Sequence, residues 1–394
     1  MRTHEMVFVA SMLLIGGERL AAAGEDSAGG AGCDCSPVEA APRIGPLAQV
    51  DAATQAGALA QADAAAQATG DTAPFRIAGF QFDNRADFVG QGRRCGTPTP
   101  TADELEMERN AVAAVRRVAG AARLMSRQTE GKVRVVFHVI HKGDEGRISR
   151  EQIERQVLVL NQAFQDAGFT FELEGINFKD VAGDPQREGW FNMSHTNPPS
   201  PTEMNAKAEL GRDSSDFLNI YTAKLRGGLL GWATFPSDLA TGSGELGYDP
   251  KVRDGVVVLY TSLPAADGSP NPQGGPFGLG QTLTHEVGHY LGLFHTFQGG
   301  CLPPGDEVAD TPSHQVNFGA CPPPGGDPDT CLADDSKDPI HNFMNYTDDA
   351  CMDRFTPNQV VRMHEQCGVF RPGLFEANDE LRNMIRDTAR SASR

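Results

Sequence analysis

Between Thr284 and Phe297 the chain reads THEVGHYLGLFHTF, three histidines and a glutamate set in an otherwise apolar run. On a helix, residues four apart share a face one turn along. His285 and His289 therefore project toward a single point, close enough to hold one zinc ion. Glu286 lies on an adjacent part of that face, where its carboxylate can reach a water beside the ion without being a ligand. His295 follows six residues after His289, with Gly292 between. A straight helix would rotate His295 away, but a glycine can take positive φ and turn the chain back. Three imidazoles leave zinc an open position for water, the signature of a catalytic site and not a structural one. Ordinary core or surface histidines would have no need of these offsets, and a purely structural zinc would have no use for a base beside it.

The elements around this stretch must position it. VRVVFHVIH (133–141) is strand-like, with β-branched residues throughout. SREQIERQVLVLNQAFQDAG (149–168) is a helix: Ser149 can cap it, Ile153, Val157, Leu160 and Phe164 fall on one face, and Gly168 stops it. FTFELEGINF (169–178) alternates as a half-buried strand, and 216–225 and 254–263 read as further strands. GLGQTLTHEVGHYLGLFHTF is a helix opened by glycines, and 358–370 is a shorter helix after Thr356-Pro357. Upstream, 75–100 reads as irregular and 101–127 as a helix with Thr101 or Asp103 near its N-cap.

The 394 residues carry a formal charge of −18, which argues against a general nucleic-acid binder. An apolar stretch from Met6 to Ile15 is too short to be a permanent anchor, and Ala21 to Ala23 offer a small-residue cleavage site, so residues 1–23 read as a signal peptide and the chain as secreted. A disordered tail is the competing reading of that stretch. Residues 24–72 lack a sustained apolar face and read as a low-complexity linker. Four of the eight cysteines, 301 to 351, crowd a Pro/Gly/Asp-rich loop region. That clustering suits disulfides in an oxidising compartment better than a second zinc site, since no Cys-x-x-Cys pair occurs there. The sequence alone leaves three connectivities open.

HEVGHYLGLFHTFQGGC, DEVADTP, NFMNYTDDACMDRFTPNQVVRM and LLGWATFP resemble the pappalysin family of metzincin zinc proteases over roughly residues 130 to 370. The resemblance implies an α+β, metzincin-like zincin fold: a twisted mixed sheet with a backing helix and the active-site helix, over an irregular lower subdomain stapled by disulfides. It implies a catalytic domain over 128–372, preceded by a pro-segment over 73–127 and followed by a helical tail over 373–394. Met344 would floor the imidazoles in the Met-turn, and Tyr346 could hydrogen-bond the developing oxyanion. The loop cysteines would pair Cys301–Cys331 and Cys321–Cys351. Asp306, Asp310 and Thr311 would offer oxygen ligands to calcium, although Asp and Thr at such positions also serve as caps and turn residues. The implied activity is zinc-dependent endoproteolysis by a chain acting as a monomer, with substrate lying extended against an edge strand, its rim taken from Thr234 to Leu259.

In RRCGT (93–97) the element Arg-Cys-Gly resembles a cysteine switch, with the Cys95 thiolate on the open zinc position. The competing reading is a disulfide, for instance with Cys367. Cleavage near Arg127, within 124–132, would then activate the enzyme. Arginine-selective relatives are expected to carry an acid directly before the fourth loop cysteine; Ala350 stands there, which speaks against a basic preference, though Asp348 and Asp349 are adjacent. A binding or adhesion protein on a decayed metzincin fold is the rival from another class. The intact Glu286, three histidines, Met344 and Tyr346 speak against it.

Overall fold

The computed structural model describes residues 72–119, 131–240, 249–331 and 336–374. The signal-peptide and linker segments, Cys33, Cys35, most of the 124–132 cleavage region and the tail beyond 374 lie outside them. Strands are β1 (Phe75–Ile77), β2 (Phe80–Phe82), β3 (Gly131–His141), β4 (Phe169–Asp180), β5 (Leu218–Ala223), β6 (Gly231–Ala233), β7 (Val256–Leu259), β8 (Phe318–Gly319) and β9 (Tyr346–Thr347). Helices are α1 (Arg85–Gly90), α2 (Ala102–Ala119), α3 (Arg150–Ala163), α4 (Pro201–Leu210), α5 (Pro250–Arg253), α6 (Gln281–Tyr290) and α7 (Pro357–Phe370).

The central sheet has the order β4-β3-β5-β7-β6, with β6 antiparallel to β7 and the other pairs parallel. Alternation along the strands assigns each side chain a face. Val133, Val135, Phe137 and Val139 of β3, with Val256 and Val258 of β7, face α3 and α6, where they meet Ile153, Leu160, Leu283 and Val287. Val257, Leu259 and Trp232 face the other way, toward Trp190, Ala206, Ile77, Phe82 and Phe88. The sheet is thus buried on both sides, as parallel strands joined by crossovers require. The fold is mixed α+β with a backing helix and a site helix.

Three departures from the sequence reading have local causes. The stretch from 75, read as irregular, forms the hairpin β1–β2 across Ala78-Gly79, both at positive φ, and then α1 capped by the Asn84 side chain. The helix read over 149–168 ends at Ala163 and tightens into a 3-10 turn before Gly168, which takes φ +73°. The edge strands of the sheet are β4 and β6; Val256–Leu259, within the stretch read as the rim, is an interior strand, and the edge strand β6 ends at Ala233, just before it.

Below α6 the chain is mostly loop. Cys301–Cys331 and Cys321–Cys351 are disulfide-bonded, each closing 30 residues, while Cys95 and Cys367 are free thiols. The alternative Cys95–Cys367 pairing is thereby removed. Cys321 and Cys351 also approach His341, but both sulfurs are consumed in their disulfide and His341 Nδ1 bonds the Cys351 carbonyl oxygen at 2.7 Å, so this cluster is no metal site.

Candidate active site

Helix α6 is fixed at both ends. At its start, Asp349 Oδ2 accepts from the amides of Leu279 and Gln281 at 2.9 and 3.2 Å, satisfying donors the helix itself cannot. At its end, Leu293 N donates to Gly288 O and Gly292 N to His289 O, with Gly292 at φ +102°: a Schellman motif. A β-carbon on Gly292 would lie 2.5 Å from Gln366 Cγ, so glycine is required by space as well as by φ. This reversal returns His295 to the helix.

The result is convergence. His289 Nε2 lies 3.2 Å from His285 Nε2 and 3.0 Å from His295 Nε2. Zinc bound at its usual 2.0–2.1 Å in a tetrahedron would space such nitrogens about 3.3 Å apart. His285 Nδ1 donates to Phe343 O and His289 Nδ1 to Leu293 O, each at 2.7 Å. Those bonds fix the tautomer and leave the Nε2 lone pairs facing one another. Burial pushes all three imidazoles down in pKa, which favours the neutral form that a cation needs. A shared cation fits this donor set.

Met344, fully buried, lies under the helix: a β-carbon on Gly288 would be 2.4 Å from its sulfur. Tyr346 Oη is 3.1 Å from His295 Nε2. Glu286 is fully buried, and burial pushes it up to about 7 against hydrogen bonds from Cys95 and Thr97 and the nearby charge of Arg94. A carboxyl near that value can both take and return a proton at neutral pH.

The N-terminal segment enters the site. The Cys95 sulfur and one nitrogen from each of the three histidines all lie within 4.8 Å of one another. Thr97 Oγ1 donates to Glu286 Oε2 at 3.0 Å. Leu230 N donates to Arg93 O, Gly96 N to Gly231 O, and Ala233 N to Thr97 Oγ1, so residues 93–97 run parallel to the free edge of β6. Arg94 is fully buried, its guanidinium 4.9 Å from the Phe277 ring centroid and 5.8 Å from that of Tyr346. Its Nε and Nη1 have no hydrogen-bond partner among the described residues, and neither has Asp349 Oδ1. Burial pushes Asp349 up to about 6, and the charge of Arg94 pulls it back. Arg85 makes a bidentate pair with Asp348 at 2.8 Å. Asp353, by contrast, is exposed and pairs with Arg354.

The calcium trio is only partly assembled. Asp306 is buried, pushed up to about 7 by that burial, and its Oδ2 and the nearby Thr311 Oγ1 have no well-formed hydrogen bond among the described residues. Asp310 turns away to cap α7, accepting from Thr356 Oγ1 at 2.7 Å and Asn358 N at 3.0 Å. Its capping role, open in the sequence, is what the geometry realises. Thr97, Arg94, Arg85 and the helix-capping role of Asp349 were not read from the sequence; the arginine beside Cys95 was the one visible signal.

A three-histidine centre with a buried glutamate, on a helix under a mixed sheet, above a methionine floor, defines a metzincin-type zinc protease. Residues 277–368 match the family described as pregnancy-associated plasma protein-A. An extracellular metalloprotease of Verticillium alfalfae is 37% identical over 281 residues, 70% of this chain and 89% of that protein. One from Sordaria macrospora is 33% identical over 280 residues, 70% of this chain and 88% of its own. Among solved structures, mirolysin in complex with compound 9 superposes with a TM-score of 0.51 at 27% identity, covering 64% of this chain and 98% of that one. A promirolysin mutant of Tannerella forsythia superposes with 0.52 at 25% identity, covering 73% and 98%. The chain belongs to the pregnancy-associated plasma protein-A family of metalloproteases, the pappalysins.

Proposed function

We propose that this metalloprotease is a secreted endopeptidase made as a latent precursor, in which residues 73–127 are the pro-segment and 128–372 the catalytic domain. His285, His289 and His295 would hold zinc, and the Cys95 sulfur would be a further ligand to it until the segment is removed. The observation that carries this reading is the meeting of the Cys95 sulfur with the three histidine nitrogens. The precursor form of a solved relative and the extracellular naming of the fungal relatives support it, as do two disulfides, which persist in oxidising compartments. Residues 1–23 serve as the signal peptide.

Once Cys95 and Thr97 leave, the edge of β6 is free to pair with an extended substrate backbone; a relative, mature mirolysin, has been solved with a cleaved peptide. Zinc held by the three histidines supplies Lewis acidity toward water and the scissile carbonyl. Glu286 takes the proton of the attacking water and delivers it to the departing amine. The Tyr346 hydroxyl donates to the oxygen on which charge develops. All these groups come from one chain, which suits a monomer. The pocket that Arg94 fills receives a basic side chain of the substrate beside the scissile bond: Asp349 supplies the carboxylate that position 350 lacks. Asp306 and Thr311 hold calcium, without Asp310.

The test is Glu286→Gln in the processed protein. Zinc content should be unchanged and cleavage of a peptide library abolished, as it should be in the wild type after chelation. Cleavage retained by the variant would dismiss the mechanism.

A further inference from the structure

The turn that reverses the chain after α6 does more than deliver His295. Its Leu293 carbonyl accepts from His289 Nδ1, so two of the three imidazoles depend on where residues 292–295 lie. The Schellman bonds hold the amides of Gly292 and Leu293, but they leave the Gly292 carbonyl pointing outward. One side chain takes it. Arg362, on the second turn of α7, donates from Nε to Gly292 O at 2.8 Å. Its guanidinium also lies 4.3 Å from the Phe294 ring centroid. Phe294 meets Phe235 edge-on at 5.3 Å, and Phe235 meets the His289 ring edge-on at 5.5 Å. Arg362 thus grips the turn on both sides of Leu293, by a hydrogen bond to one neighbour and by its guanidinium over the ring of the other.

We propose that Arg362 is a positioning residue of the metal centre, setting the turn that orients His289 and aims His295; the proposal rests on these histidines holding zinc. The choice of arginine follows from geometry. A planar guanidinium can donate in its plane and stack on an aromatic face at once, which an ammonium cannot. The same group has a further partner in this form of the chain. Glu108 of α2 accepts from Arg362 Nη2 and from Gln366 Nε2, and Gln366 is the side chain packed against Gly292. The helix of the N-terminal segment therefore holds, from behind, the two residues that shape the ligand turn.

The experiment compares wild type, Arg362→Met and Arg362→Lys as full-length chains. Zinc affinity is read by chelator competition, and the cobalt-substituted proteins by visible absorption. After processing, kcat and KM are measured on one peptide. Loss of an outer support of this kind typically weakens a metal site 10- to 100-fold. Arg362→Met should bind zinc about tenfold more weakly, shift the cobalt bands, and lose kcat with KM little changed. Arg362→Lys, keeping the charge and one donor but not the stack, should fall between. Circular dichroism monitors the fold, and if Arg362→Met does not fold, the lysine variant carries the comparison. Zinc affinity within twofold of wild type, with unchanged cobalt bands, would overturn the proposal while leaving the protease reading intact. A wild-type chain that binds no zinc would overturn both.

Discussion

Gly292→Ala isolates the backbone reversal on which the metal site depends. Two costs can be worked from the structure. The residue sits at φ +102°, a conformation that costs a residue with a β-carbon of order 1–3 kcal/mol. The new methyl would also lie 2.5 and 2.6 Å from Gln366 Cγ and Cβ, and such overpacking typically adds about 1–3 kcal/mol. Together they predict a loss of roughly 2–6 kcal/mol of a total that is rarely above about 15 kcal/mol. For a domain of this size that is a fall in Tm of roughly 4–24 °C. The costs separate in a double-mutant cycle. Gln366→Gly removes both clashing atoms but not the strained φ, so its coupling to Gly292→Ala should recover roughly 1–3 kcal/mol, the overpacking share alone. Its own helix-propensity cost cancels between the arms of the cycle. Denaturant unfolding gives the energies, and zinc titration gives the functional consequence, since His295 follows the turn. A Gly292→Ala protein within about 0.5 kcal/mol of wild type and binding zinc equally well would refute the view that this turn is both strained and decisive.

Three further outcomes are expected. A Cys95→Ala precursor should cleave substrate before any processing, because Glu286 and the metal position lose their plug; unchanged latency rules out the switch. Asp349→Asn, which keeps an acceptor for the α6 amides, should lower kcat/KM for peptides with arginine beside the scissile bond about tenfold relative to leucine counterparts, the scale of one charge-assisted hydrogen bond; an unaltered ratio removes Asp349 from recognition. Burial raises Asp306 from 3.8 to about 7, so its contribution to stability is full below its unfolded value and lost as pH rises through about 7. Calcium requires the ionised form, hence its thermal stabilisation should grow from about pH 5 to about pH 8 and vanish in Asp306→Asn. A calcium shift that ignores pH across that range would exclude this carboxylate as a ligand.

The catalytic part was legible because its signals are local. Helical spacing put His285 and His289 on one face, and Gly292 announced the reversal that the Schellman motif carries out. The strands β3, β4, β5 and β7 were visible as β-branched or alternating runs. What escaped depends on partners far along the chain. Nothing in the three residues of β6 marks Gly231–Ala233 as the sheet edge, since edges are set by pairing order. Asp349 caps a helix 68 residues before it, and Arg85 finds Asp348 across 263; no local pattern encodes either. Asp310 read either as a calcium ligand or as a cap, because the two uses demand the same residue types in the same kind of loop; its carboxylate accepts from Thr356 and Asn358 at the start of α7. The hairpin at Ala78-Gly79 was hidden by strands of three residues, too short to show a period.

The contacts between α2, in the proposed pro-segment, and the domain are unequal in kind. Arg109–Glu307 and Arg116–Glu365 are well-formed pairs, yet their arginine side chains are 45% and 51% exposed. Pairs of that type contribute about 0–1 kcal/mol and weaken with salt. Glu108 is different: its side chain is 5% exposed and bound to both Arg362 and Gln366. Removing one partner of a buried charge pair leaves the other in a poor solvent, at a cost of about 3–5 kcal/mol. Undocking the whole helix avoids that cost, because water then reaches Glu108 and Arg362 together. The outer arginines therefore set the orientation of α2, while Glu108 makes its attachment all-or-none: half-released states are penalised, bound and fully released states are not. Such cooperativity suits the proposed latency, in which the segment would hold the Cys95 sulfur in place until its connection to the domain is cut and then leave the cleft entirely.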